Sequence, residues 1–130
     1  VTPRVVRTGA LGGARFGLQQ PVMEYRLVEG AQGRVSALLP SRGLNNVGIL
    51  VRVFGRVTAV GPDFFYVDDG CGCDDGSGET GVRVLCGSFS RPSVGQFVVV
   101  TAVSSTYFDR GSLFRALLLP SEDCVRVISP

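Results

Sequence analysis

Val51-Arg52-Val53-Phe54-Gly55-Arg56-Val57-Thr58 is the stretch that decides how this chain folds. Apolar residues alternate with arginines, the period-2 pattern of a strand with one buried face. Gly55 sits mid-strand, where a missing Cβ lets a long strand bend sharply and serve both sides of a small closed sheet. The same texture recurs downstream in Phe65-Tyr66-Val67-Asp68-Asp69-Gly70, Gly81-Val82-Arg83-Val84 and Val94-Gly95-Gln96-Phe97-Val98. Turn signals at Gly61-Pro62 and Pro92-Ser93 separate these runs. Strands are predicted over 47–60, 63–68, 81–86, 96–104 and 113–119, with a short sixth over 124–128. Upstream, Met23-Glu24-Tyr25-Arg26-Leu27 alternates in the same way, and Val35 to Leu39 forms a short extended piece closed by Pro40.

Composition narrows the function. The chain has 130 residues, 45% of them apolar and 18% charged, which excludes an intrinsically disordered chain. Its 18 glycines and 7 prolines argue against a helical bundle. All 13 basic residues are arginine, and histidine is absent. Ser-His-Asp and Cys-His catalysis and imidazole metal sites are therefore excluded. No catalytic residue, metal site or cofactor is assigned. A net charge of +2 predicts weak nonspecific attraction to nucleic acid. No apolar run is long enough to span a membrane as a helix.

The order of elements resembles the oligonucleotide/oligosaccharide-binding (OB) fold, a five-stranded Greek-key barrel, of the kind found in secreted bacterial or archaeal proteins. The resemblance covers residues 43–130 and leaves 1–42 as an extended N-terminal arm rich in glycine and proline. It departs from the fold between strands three and four, where 87–95 is too short for the usual helix, so another part of the chain must cover that end. Met23, Tyr25 and Leu27 are the candidates. The resemblance also implies a ligand face for single-stranded nucleic acid or a glycan, with Arg52, Arg56, Phe65, Tyr66, Arg83, Tyr107 and Arg115 as its residues. Arginine beside aromatic rings suits stacked bases and phosphate. The same arginines, alternating with valine, are also the ordinary solvent side of half-buried strands.

The loop Asp68 to Glu79 is acidic and glycine-rich. It fails the EF-hand pattern, because glycines stand two and four residues after Asp74, and it is expected to be a solvated hairpin loop. The four cysteines, Cys71, Cys73, Cys86 and Cys124, are an even number in a short chain. Disulfides are expected over a four-thiolate zinc site, since the two-residue gap between paired zinc ligands is missing. Their connectivity stays open. With Val1 at the head of the chain, they point to a processed, extracellular protein.

Arms such as 1–42 stay unordered unless tied down. One route is packing on the chain's own barrel; the other is strand addition to a neighbour's sheet edge, which propagates into a filament unless it closes. The absence of lysine removes a common edge-strand guard, and a mean hydropathy of +0.28 permits close subunit contact. The expectation is an extracellular, non-enzymatic structural protein whose arm joins copies through Val5, Val6, Phe16, Met23, Tyr25 and Leu27. An OB binding module is the alternative.

Overall fold

The computed structural model describes residues 3–13, 21–31, 33–41 and 46–129; Phe16 and the arm boundary at 42–43 lie outside them. The described chain is all-β, with strands β1 (Arg4–Val5), β2 (Val22–Gly30), β3 (Gly33–Pro40), β4 (Leu50–Val60), β5 (Phe64–Asp68), β6 (Val82–Leu85), β7 (Phe97–Asp109), β8 (Ser112–Leu118) and β9 (Val125–Ser129). They form one mixed nine-stranded sheet. The predicted strands are all present, and β7 runs five residues further than its valine run, through Asp109.

The pairings return on themselves. β4 lies antiparallel to β5 and β7, β5 antiparallel to β6, β6 parallel to β8, and β8 antiparallel to β7. The alternation read in the sequence sorts inside from outside along this circuit. Val51, Val53, Val57, Phe65, Val67, Val82, Val84, Val98, Val100, Ala102 and Leu117 share one core cluster. Between them stand Arg52, Phe54, Arg56, Arg83 and Thr101 on the outward positions, while Tyr66, on the same side of β5, is fully buried against Asp75 of the acidic loop. Gly55 is needed for close approach: a Cβ there would meet Asp68 O and Val67 Cγ1, each at 2.7 Å. A register shift between Val57 and Ala59 adds to the bend of β4.

The N-terminal region is tied to its own sheet. β1 adds in parallel to β4, with Arg4 opposite Val51. After a 3₁₀ turn at Thr8–Ala10, Leu11 enters the core and is fully buried. Burial of a leucine contributes about 2 kcal/mol. Leu11, Cys73, Cys86 and Leu119 belong to the core cluster, and Phe89 packs on it from the helix-free link before β7. This corrects the expected cover: Met23 and Tyr25 are only half-buried, and Leu27 is 66% exposed. Core membership favours Leu11 because it follows the turn that the arm makes at Thr8.

The hairpin β2–β3 is the part least joined to the rest. β2 meets β8 only at Val22 and Met23, opposite Leu113 and Phe114. From Arg26 onward, β2 and β3 pair only with each other among the described residues.

Candidate functional site

Two side-chain clusters stand out. The first cluster lies on the outward positions of β5, β6 and β7. Arg83 is half-buried, its Cζ 4.2 Å from the Phe64 ring centre, 4.5 Å from that of Tyr107 and 5.3 Å from that of Tyr66. Its Nε donates to the Tyr66 hydroxyl at 3.0 Å. Tyr66 in turn donates to Asp75 Oδ2 at 2.5 Å, and the Tyr107 hydroxyl donates to the same oxygen. Asp75 Oδ1 accepts the Ser77 amide at 2.9 Å. Burial works against the Asp75 anion, but Ser77, Tyr107 and Tyr66 together hold its carboxyl below the usual range. Burial, reinforced by Asp75, pushes both tyrosines up.

Asp75 comes from the loop expected to be simply solvated. Most of 70–80 is exposed, yet Asp75 is 5% exposed and Cys73 9%. Arg110, at the β7–β8 turn, clamps this loop by donating Nη2 to Asp75 O at 2.6 Å and Nη1 to Gly76 O at 2.7 Å. It does so from a left-handed conformation, φ +49°. Gly76 has no room for a side chain, since a Cβ would lie 2.5 Å from Tyr25. The acidic loop thus covers the arginine–aromatic face with a carboxylate of its own.

The second cluster surrounds Arg115 on β8, which is 5% exposed. Its Nε donates to Leu11 O at 3.2 Å, Nη1 to Cys73 Sγ at 3.0 Å, and Nη2 to Glu24 Oε1 at 2.9 Å and Ser41 Oγ at 3.1 Å. One guanidinium thereby holds the arm, β2 and the acidic loop. Asp69 adds a second tie by accepting the Thr8 amide and hydroxyl, both at 2.7 Å. Partial burial raises its pKa, but the bonds from Thr8 and Cys71 outweigh that and leave the carboxyl below its ordinary value. Asn46 adds a third, its Oδ1 accepting Gly12 N at 2.8 Å and its Nδ2 donating to Ala10 O at 2.7 Å.

The seven expected ligand-face residues therefore separate. Tyr66, Arg83 and Tyr107 come together. Phe65 is fully buried in the core, because it alternates inward with Val67. Arg115 is interior and fully engaged. Arg52 donates to Thr101 Oγ1 at 3.2 Å and lines a shallow groove of about 370 Å³ with Phe54, Arg126 and Ile128. Arg56 is exposed on β4 opposite Asp68 and Phe97. Phe64, Asp75 and Arg110 were missed; an outward tyrosine pair that needs hydroxyl partners is the signal that could have found Asp75.

All four cysteines, expected in disulfides, are free thiols here. Cys73 turns inward to Arg115, Cys86 is buried in the core, and Cys124 Sγ lies 3.4 Å from Ser121 Oγ. Of the expected subunit contacts, Tyr25 stacks on Phe114 at 6.2 Å, while Val5 and Leu27 are 61% and 66% exposed. Removing 1–42 would take Leu11 out of the core, so the arm cannot be deleted cleanly. No protein-family model matches the chain, and neither a curated protein nor a solved structure does.

Proposed function

We propose that the chain is an OB-like Greek-key barrel that serves as an extracellular, non-enzymatic structural subunit, joining copies through its N-terminal region. The strand circuit β4–β5–β6–β8–β7, with its parallel β6–β8 step, supports the OB reading. The unpaired outer edge of the β2–β3 hairpin carries the assembly reading. β3 pairs only with β2 among the described residues, and Leu27, Val35 and Leu38 are 66%, 52% and 37% exposed around it. A two-stranded ribbon with so little support gains stability from a further strand.

The complementary edge belongs to the same chain. β9 pairs only with β7 among the described residues, and its Val127 and Ile128 are 47% and 57% exposed. β3 of one copy adding to β9 of the next is a heterologous contact that repeats without limit unless it closes into a ring.

Light scattering with negative-stain microscopy on the full chain, beside a Leu27→Glu/Val35→Glu variant, tests this reading. Regular polymers from the parent and monomers from the variant are expected. Monomers in both samples, or polymers in both, would sink it. The alternative, a module for single-stranded nucleic acid or glycan, is supported by the Arg52–Phe54–Arg126 groove; its test is titration with an oligothymidylate and with neutral and acidic oligosaccharides.

A further inference from the structure

We propose that the outer face of β4, β7 and β9 binds single-stranded nucleic acid, with Phe54 stacking a base and Arg52, Arg56 and Arg126 meeting phosphates. The proposal rests on the alternative reading, a binding module, and moves its site away from β5 and β6. There Tyr66 is buried under Asp75, and Arg83 packs against the rings of Phe64 and Tyr107. The face implied by the fold resemblance is thus filled by the chain itself.

The arginines divide between two sides of the molecule. Arg26, Arg34, Arg110 and Arg115 form ion pairs, and Arg91 donates to Phe89 O. Arg7, Arg52, Arg56 and Arg126 form none among the described residues, and they stand on or beside β1, β4 and β9. The register gathers them around one ring. Arg52 and Arg56 flank Phe54 along β4; opposite these three stand Thr101, Phe97 and Val99 of β7, and Arg126 of β9 lies opposite Val99. Phe54 and Phe97 are 46% and 48% exposed.

The nearby carboxylates lie at the margins of this face. Asp69 shares a groove of about 350 Å³ with Arg7 on the β1 side of Phe54, where it accepts bonds from Thr8 and Cys71. It offsets Arg7, which is therefore left out of the site. Asp68 stands opposite Arg56 on β5 and accepts the Gly70 and Gly72 amides. Asp123 lines the groove of about 370 Å³ with Arg52, Phe54 and Arg126 and pairs with neither arginine. On the β7–β9 side three arginines face this one carboxylate. A surface dominated by one sign of charge concentrates the opposite ion.

Geometry and chemistry choose among anions. Arg52 and Arg56 stand about 13 Å apart along β4, with the Phe54 ring between them, so the face suits a chain of phosphates over a single one. An exposed ring among arginines stacks a base whose own faces are free, which a duplex does not offer. Sulfated sugars carry the charge but have no flat π face.

The test is fluorescence anisotropy of a labelled oligothymidylate titrated with the full chain at several salt concentrations, with duplex DNA and a sulfated glycan as competitors. Phe54→Ala should weaken binding about tenfold with the salt dependence kept. Arg52→Gln/Arg126→Gln should lower the slope of log affinity against log salt by about 1.4. Arg34→Gln, on the distant hairpin, should leave both unchanged. Circular dichroism checks that each variant folds; Phe54 and Arg126 are exposed, so their replacement spares the core. No binding of either oligothymidylate or glycan would overturn the binding-module reading and this proposal with it. Oligothymidylate binding that survives Phe54→Ala and Arg52→Gln/Arg126→Gln unchanged would overturn this face alone. So would a duplex or a sulfated glycan that competes more strongly than the single strand.

Discussion

The strand circuit and the β2–β3 hairpin use the same alternating pattern and end in opposite states. In the circuit every second residue meets a second layer of strands and disappears from solvent. In the hairpin Met23, Tyr25 and Leu27 alternate in the same way, yet the cover reaches Tyr25, against Phe114 and Gly76, while Leu27, Val35 and Leu38 stay exposed. Alternation thus specifies a strand with two different faces. It does not supply the surface that buries one of them.

Substitutions of graded cost sharpen this contrast. Phe65→Ala in the circuit should cost the most, roughly 3–5 kcal/mol in denaturant unfolding, since the site is close-packed on all sides. Arg115→Met should follow at about 3 kcal/mol, because Glu24 and the Leu11 carbonyl lose their donor inside the protein. It should also make the arm sensitive to proteolysis before the circuit unfolds. If Arg115→Met cost as little as a surface change, the arm would be held by something other than this latch.

Asp75→Ala should cost about 2 kcal/mol, leaving two tyrosine hydroxyls without their acceptor, and should shift the near-ultraviolet tyrosine signal. Smaller still is Asp69→Asn, at about 1 kcal/mol, with a specific pH signature. Asp69 and Asp75 both have folded pKa values below the ordinary 3.8. The unfolded chain therefore takes up their protons first as pH falls. Their stabilisation is complete above about pH 5 and is lost progressively below about pH 4. Acid unfolding of Asp69→Asn should be flatter over that window than that of the parent; an unchanged slope would remove Asp69 from the latch. The smallest stability effect, within about 0.5 kcal/mol, is expected for Leu27→Glu/Val35→Glu, the variant that should abolish assembly. A large loss of stability there would mean that the hairpin is part of the core after all.

The cysteines and the acidic loop show how far local composition reaches. Five acidic residues among glycines in 68–79 resemble a solvated turn, and most of that loop is exposed. Asp75 and Cys73 are the exceptions, one capping a tyrosine pair on β5 and β7, the other closing the core beside Arg115. Nothing within a few residues of either position distinguishes it from Asp74 or Cys71. Their partners are contributed by β5, β7 and β8, whose proximity depends on the order in which the strands pair.

By itself the sequence determined that this protein is all-β, where most of its strands lie, and that they have one apolar face, with Gly55 read as a point where a long strand can bend. Those properties follow from the two-residue repeat of an extended chain and from the backbone preferences of glycine and proline, which act locally. Only the tertiary structure decided that Leu11 rather than Met23 or Tyr25 enters the core, that Arg115 and Phe65 leave the outer face, and that Asp75 caps Tyr66 and Tyr107. Each of these depends on contacts between residues far apart in sequence, and a repeat of two along the chain carries no information about which strand will be the neighbour.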